Sequence, residues 1–256
     1  MSALIGVLNI LLGLAYTTYG FITIADFKRG WKTMGFSHFG AAWIAMAFTC
    51  GPHHLVHGVH ILLEGRVGQP LDLLAVAVGF PAGVVFLGLR LEAVFGGRGD
   101  RFVSGTPLWV QSLPTLAAVY ITILAAATLR ITAVGVPRKV YPNLLLVALY
   151  FAIGYFLLRT QLRNRQKTQG WSLSGLALSV VFPTCGLMHG IYAMYAATGA
   201  YNNGIDWHGF VIDWLAVPAA IYFLWVVRGL FRQSLKDWNR TQFDAVPNKA
   251  AAVVSL

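Results

Sequence analysis

Residues 41–65 read AAWIAMAFTCGPHHLVHGVHILLEG, and this stretch decides how the chain folds. Its only charged side chain is Glu64, and as a helix it is long enough to cross the hydrocarbon core of a bilayer. It nevertheless holds four histidines, which are costly to expose to lipid. We therefore expect a membrane helix whose polar face turns toward the interior of a helix bundle.

The composition of the whole chain also indicates a membrane protein. Of its 256 residues, 57% are apolar and 11% are charged, whereas soluble domains carry about 25% charged residues. This composition excludes intrinsic disorder, and two cysteines exclude a disulfide-stapled secreted scaffold. The net charge is +10, and the charged residues flank the apolar spans. We therefore expect the basic residues to contact anionic lipid at the cytoplasmic face, and we expect no nucleic-acid partner.

Hydropathy predicts an all-α integral membrane protein with seven transmembrane helices, at roughly residues 3–25, 39–63, 70–93, 107–129, 141–160, 171–198 and 209–232. The first span has no basic n-region and no clear cleavage site, so we expect it to be a retained helix. A single membrane domain would cover residues 1–232, and a cytoplasmic tail would follow at 233–256.

Basic residues alternate between the two sides of this arrangement. Fifteen of the 19 lysines and arginines follow the odd-numbered spans, and the other four are Arg66, Arg130, Arg138 and Lys139. The positive-inside rule then predicts an N-terminus outside and a C-terminus in the cytoplasm. We expect the membrane to be a bacterial or archaeal plasma membrane.

The two halves of the chain resemble one another. The tripeptide Thr-Cys-Gly at 49–51 recurs at 184–186, 135 residues later, and Pro-Ala at 81–82 recurs at 218–219, 137 residues later. These matches predict a parallel 3+1+3 internal repeat, with halves at 1–95 and 141–232 and a connector helix at 107–129. A pseudo-twofold axis along the membrane normal would relate the halves.

The span at 39–63 carries metal-ligand side chains along one helical face. Six residues recur at steps of three or four: Met46, Cys50, His53, His57, His60 and Glu64. At 1.5 Å per residue this stripe is about 27 Å long, close to the hydrocarbon thickness. His54 lies beside it.

The span at 171–198 supplies a matching half, since Cys185, His189 and Tyr192 share a face. The pseudo-twofold would bring His189 to the depth of His54 or His57, somewhat outside the midplane. Asp72 and Asp213 belong to the same outer half, either as ligands or as caps of their helices.

This cluster predicts a bound transition metal (Cu, Zn or Fe) or a haem b, because neutral imidazole is a common ligand for these metals and cysteine sulfur favours Cu(I). Our first hypothesis is a metal carrier or metal-handling factor. Its candidate ligands are His53, His57, His60, His189, Cys50, Cys185, Glu64, Asp72 and Asp213. The second hypothesis is a b-type cytochrome in electron transfer, with haem ligands among His54, His57 and His189.

Two further hypotheses stay open. One is a membrane metalloenzyme with Asp72 or Asp213 as base. The other is an accessory subunit of a larger membrane complex, whose histidines are structural or hold a pigment. A homo-oligomer stays open as a second form of assembly. For Cys50 and Cys185 the alternative to ligation is a packing role between close helices.

Overall fold

The computed structural model describes residues 1–165, 168–201 and 207–233, without the side chains at 32–34, 207 and 233. It is 83% helical and has almost no sheet. The helices are α1 (Ser2–Met34), α2 (His38–Leu62), α3 (Pro70–Val94), α4 (Leu108–Gln111), α5 (Leu113–Val134), α6 (Tyr141–Asn164), α7 (Leu173–Ala197) and α8 (Trp207–Gln233). Two short strands, β1 (Phe102–Val103) and β2 (Trp171–Ser172), pair antiparallel.

Within the described residues, six helices are long and apolar enough to cross a membrane, namely α1, α3, α5, α6, α7 and α8. The all-α, integral membrane class predicted from composition is therefore confirmed, and lipid is the expected surrounding of the outward-facing apolar side chains. The second helix, α2, is 25 residues long. It holds five of the seven histidines, and their polarity lowers its hydropathy.

Several helix boundaries differ from the predicted spans. The connector predicted at 107–129 is two helices, because the chain breaks at Ser112 and α5 then starts with Pro114 in its first turn, where proline is favoured. Helix α5 runs on to Val134 and α1 runs on to Met34. The predicted tail beyond residue 233 lies outside the described residues, as do four of the 15 predicted cytoplasmic charges.

Two serines cap the starts of α2 and α7. Ser37 precedes α2 and accepts a hydrogen bond from the backbone nitrogen of Gly40 at 3.1 Å, while Ser172 precedes α7 and accepts one from Gly175 at 3.0 Å. Such a side chain satisfies a backbone donor that the first helical turn leaves unpaired. The serines are 135 residues apart, the spacing of the sequence repeat.

Helix packing follows matched pairs. Helix α1 packs on α2 as α6 packs on α7, α2 packs on α8 as α7 packs on α3, and α1 packs on α3 as α6 packs on α8. The main partner of α5 is α7. We call the end that carries the α2–α3, α5–α6 and α7–α8 connections the outer end, following the predicted orientation.

An aromatic layer fills the bundle on the inner side of its centre. The ring of Trp43 lies 5.4 Å from both Phe86 and Phe223 between centroids, and Phe182 stacks on Phe223 at 5.1 Å. These four side chains are buried. The layer closes the bundle core on the inner side of the histidines.

Candidate metal site

Three buried histidines meet where α2 faces α7. The ring centroids of His53 and His189 lie 4.5 Å apart, and those of His53 and His54 lie 5.9 Å apart. Helix α2 supplies two of these rings, and α7 supplies the third. Imidazoles from the two halves of the chain therefore share one buried location.

Two of these rings are held by asparagines. Nδ1 of His54 lies 2.9 Å from Oδ1 of Asn9 on α1, and Nδ1 of His189 lies 2.7 Å from Oδ1 of Asn143 on α6. An amide oxygen only accepts, so Nδ1 is the nitrogen that carries hydrogen in each contact. In the neutral ring Nε2 is then the nitrogen with the lone pair.

The third ring is held by Asp213 on α8. Oδ1 of this carboxylate lies 2.9 Å from Nδ1 of His53, and Oδ2 accepts from the amide nitrogen of Asn143 at 2.7 Å. The second contact orients the Asn143 amide, so that its oxygen faces His189. Asp213 is fully buried, at 0% exposure. Because it lies in the second turn of α8, it is not the helix cap considered above.

The three side chains form a compact donor group. Ligand atoms of His53, His189 and Asp213 all lie within 4.8 Å of one another. Asp213 meets both histidines on their Nδ1 side, so a metal ion on the Nε2 side would have this carboxylate as the orienting partner of its ligand His53.

An inner cavity, about the size of a single water molecule, adjoins these rings. It is lined by Cys50, His53, His54, Cys185, Met188 and His189. Three lining residues come from each half of the chain, and every one has its counterpart 135 residues away. Since Asn9, Asn143 and Asp213 do not line this cavity, we infer that the Nε2 side of the rings faces it.

Both cysteines are free thiols, and each contacts a tyrosine of the opposite half. Sγ of Cys50 lies 3.2 Å from the hydroxyl of Tyr150 on α6, and Sγ of Cys185 lies 3.8 Å from the hydroxyl of Tyr16 on α1. These contacts fix the two sulfur atoms at the inner end of the cavity, one helical turn from the histidines.

An outer cavity lies on the other side of His53 and Met188, which line both spaces. It is lined by Asn9, His53, His57, Asp72, Ala75, Met188 and Tyr192. The two cavities therefore form a column along the bundle, with sulfur at the inner end and carboxylate and imidazole at the outer end.

Three side chains, which we call the outer roof, cover this column: Arg66, Tyr192 and Tyr201. Arg66 is 2% exposed, and the carbon of its guanidinium lies 5.7 Å from the ring centre of Tyr192 and 5.2 Å from that of Tyr201. The Tyr201 hydroxyl donates to Oδ1 of Asp72 at 2.7 Å. Burial raises the pKa of Tyr201, and the neighbouring Asp72 raises this pKa further.

Four predicted ligands lie away from the inner cavity. Nδ1 of His57 is 3.4 Å from the Arg66 guanidinium, whose positive charge opposes a metal cation there. His60 lies 3.5 Å from Glu64, which follows the end of α2 and whose side chain is 55% exposed. Asp72 caps α3 by accepting from the Gln69 backbone nitrogen at 2.9 Å. The residues of the predicted stripe therefore do not all line one cavity, because helical spacing defines a face and not the depth or the neighbours of each side chain.

The sequence interpretation missed Asn9, Asn143, Tyr16 and Tyr150, and it treated Arg66 only as a loop charge. The sequence did contain a signal for the first four residues. Asn9 and Asn143 are 134 residues apart, as are Tyr16 and Tyr150, and this separation is close to the spacing of the predicted repeat. No signal marked Arg66 as buried. The sequence matches no protein family and no curated protein, and no solved structure matches the chain.

Proposed function

We propose that this protein binds a transition-metal ion inside the membrane, at the inner cavity, as a metal carrier or metal-handling factor does. The observation that carries the proposal is the lining of the cavity. Three imidazoles, two thiols and one thioether surround a space the size of a small ion, and they come in equal number from the two halves. Each of these groups is a known metal ligand.

The hydrogen bonds around the histidines support ligation. Metal-binding histidines generally donate the other ring nitrogen to a carboxylate or carbonyl oxygen, which fixes the tautomer and makes the free nitrogen more basic. His53, His54 and His189 each have such a partner at Nδ1, at 2.9, 2.9 and 2.7 Å. Histidines with a purely structural role would not need an oxygen partner at Nδ1 in all three cases.

The charge of the site favours a cation. Asp213 is a fully buried carboxylate, and among the described residues its partners are two imidazole rings and an amide. A buried charge is costly unless an opposite charge lies close to it. A bound metal ion next to His53 would supply that charge.

We further propose that all seven long helices, α2 included, cross the membrane with the N-terminus outside, as a parallel 3+1+3 repeat. The matched helix pairs, the two serine caps and the pairing of cavity residues at one spacing support this arrangement. Carriers commonly place their site at the interface of two related halves. A plasma membrane with an anionic cytoplasmic leaflet would suit the charge bias.

A haem between α2 and α7 finds less support. The inner cavity holds a body the size of one water molecule, whereas a porphyrin ring is far larger. His57 faces the outer roof and packs 5.5 Å from the ring of Tyr192, so it does not oppose His189. We therefore base no step on a haem.

The proposal is tested by metal analysis of the protein purified in detergent. The protein is incubated with Cu, Zn, Fe and Ni salts in turn, desalted, and analysed for metal per chain. We expect about one tightly held ion per chain. The double substitution His53→Ala with His189→Ala should remove it, and His208→Ala, at an exposed histidine at the start of α8, should not.

Two results would overturn the proposal. One is a wild-type protein that retains no more metal than the double variant while both elute as monodisperse species. The other is a Soret band in the visible spectrum that disappears in the His189→Ala variant, which would favour the cytochrome hypothesis.

A further inference from the structure

We propose that the bound ion is monovalent copper and that sulfur atoms from Cys50, Cys185 and Met188 hold it together with the histidine nitrogens. This inference rests on the proposed function and narrows it to one ion. It starts from the donor atoms of the inner cavity, of which three are sulfur.

The thioether is the most selective of these donors. Met188 lines both cavities, at the position equivalent to His53 in the other half of the chain. Thioether and thiolate sulfur select Cu(I), while Zn accepts thiolate and imidazole, and Mg, Ca and Mn prefer oxygen. A site that combines imidazole, thiol and thioether therefore fits Cu(I) better than it fits Zn or Fe.

The sulfur atoms have supporting contacts that parallel those of the imidazoles. The Tyr150 hydroxyl lies 3.2 Å from Sγ of Cys50, and the Tyr16 hydroxyl lies 3.8 Å from Sγ of Cys185. A hydroxyl that donates to a ligating sulfur orients it and stabilises its negative charge. Each cysteine is thus positioned by a helix of the opposite half, as expected for a ligand that must hold a defined place.

The test is an anaerobic titration of the detergent-purified protein with Cu(I), in competition with the chelator bicinchoninate, and a parallel titration with Zn(II). We expect the wild-type protein to bind Cu(I) more tightly than Zn(II). The Met188→Leu variant should lose about tenfold or more in Cu(I) affinity and keep its Zn(II) affinity, because leucine preserves the volume and removes the sulfur.

A matched control is Met194→Leu, since Met194 is buried on the same helix and lines neither cavity. It should leave both affinities unchanged. The Cys50→Ser and Cys185→Ser variants should weaken Cu(I) binding as well. If they fail to fold, X-ray absorption at the copper edge of the wild-type protein gives a separate reading, in which sulfur neighbours of copper are expected.

Four outcomes separate the two proposals. Copper bound with nitrogen and oxygen neighbours alone, or with an affinity that Met188→Leu does not change, overturns the copper–sulfur inference and leaves the histidine site standing. Tighter binding of Zn(II) than of Cu(I) does the same. A wild-type protein that binds neither ion in this titration, and that retains no Fe or Ni in the metal analysis, overturns both the inference and the proposed function.

Discussion

His54 and His189 are 135 residues apart, and each turns its Nδ1 atom to the side-chain oxygen of a buried asparagine, at 2.9 and 2.7 Å. The two asparagines lie on α1 and α6, which pack on α2 and α7 in the same way. Both halves of the bundle thus share one arrangement, in which a histidine on one helix is oriented by an amide on the helix that precedes it. Substitution of the two asparagines therefore tests the site directly.

Replacing Asn143 by alanine should weaken metal binding by about 10–100-fold, the usual effect of removing an orienting partner of a metal ligand. Asn9→Ala should have a smaller effect, because Asn143 holds both His189 and Asp213 whereas Asn9 has one histidine partner. The measurement is metal affinity by chelator competition on the purified proteins.

The matched control for these variants is Asn164→Ala. Asn164 is buried at the inner end of α6 and donates to the backbone oxygen of Thr160, far along the helix from Asn143. It should leave metal affinity unchanged. Equal affinity in wild type and Asn143→Ala would mean that the asparagine serves packing alone.

Asp213→Asn should lower metal affinity, because it removes the buried negative charge and leaves one acceptor oxygen where His53 and Asn143 each have one now. The amide is close in size to the carboxylate, so the helix packing should survive. We expect a loss of at least tenfold, a magnitude typical for such partners, measured in the same competition assay.

Asp72→Asn is the contrasting variant. Asp72 caps the start of α3 and accepts from Tyr201, away from the inner cavity. A carboxylate in the first turn of a helix contributes about 0.3–1 kcal/mol. We expect a lower melting temperature and an unchanged metal affinity, and the reverse pattern in the two aspartate variants would contradict our assignment of roles.

Gly51→Val should separate α1 from α2. A Cβ atom at Gly51 would lie 2.5 Å from Oγ1 of Thr17 and 3.2 Å from the backbone oxygen of Gly13. Overpacking of this kind costs about 1–3 kcal/mol, and it should also move Asn9 away from His54. We expect lower thermal stability together with weaker metal binding.

Gly88→Val is the control for this packing effect, because a Cβ atom at Gly88 meets no atom within 4 Å. It should behave as wild type in the thermal melt measured in the same detergent. A Gly51→Val protein with unchanged stability would show that α1 and α2 do not pack as closely as described.

The membrane class could be predicted from the sequence because a long apolar segment has few ways to satisfy its backbone other than a helix in lipid. The exact ends of the helices could not be predicted from the sequence. Helix α1 continues to Met34 beyond the apolar run, and α5 begins only after a break at Ser112, which depends on loop geometry that hydropathy does not report.

The candidate site was predictable by residue type and only partly by position. Four histidines in a membrane helix indicate a polar interior, but their spacing could not separate His53 and His54, which line the inner cavity, from His57, which lies under Arg66. That difference depends on which neighbouring helix faces each side chain. The orienting asparagines are equally a property of helix packing, visible in the sequence only as a repeat spacing.

Labelling of introduced cysteines should report the orientation of the helices. Leu63, after α2, is 79% exposed, and Phe95, after α3, is 85% exposed. With the N-terminus outside, a membrane-impermeant maleimide should label the Leu63→Cys variant in intact cells and the Phe95→Cys variant only after permeabilisation.

Wild type is the control for this labelling, because Cys185 is buried and Cys50 lines the inner cavity, so neither should react in the folded protein. Labelling of both introduced cysteines from the same side would mean that α3 does not cross the membrane. The opposite pattern at both positions would invert the proposed orientation.

Tyr201→Phe should speed the release of metal without changing the affinity of the site. The Tyr201 hydroxyl ties the α7–α8 connection to Asp72 on α3, above the outer cavity and at a distance from the inner one. A hydrogen bond to a charged group contributes about 1.5–3 kcal/mol, so the roof should open about ten- to a hundredfold more often. The rate is measured by mixing loaded protein with excess chelator, and Tyr155→Phe, at an exposed tyrosine on α6, is the control. Because equilibrium affinity depends only on the loaded and empty states, faster release should come with equally faster uptake. Release at the wild-type rate would indicate that the ion leaves by a path that does not pass beneath Arg66 and Tyr201.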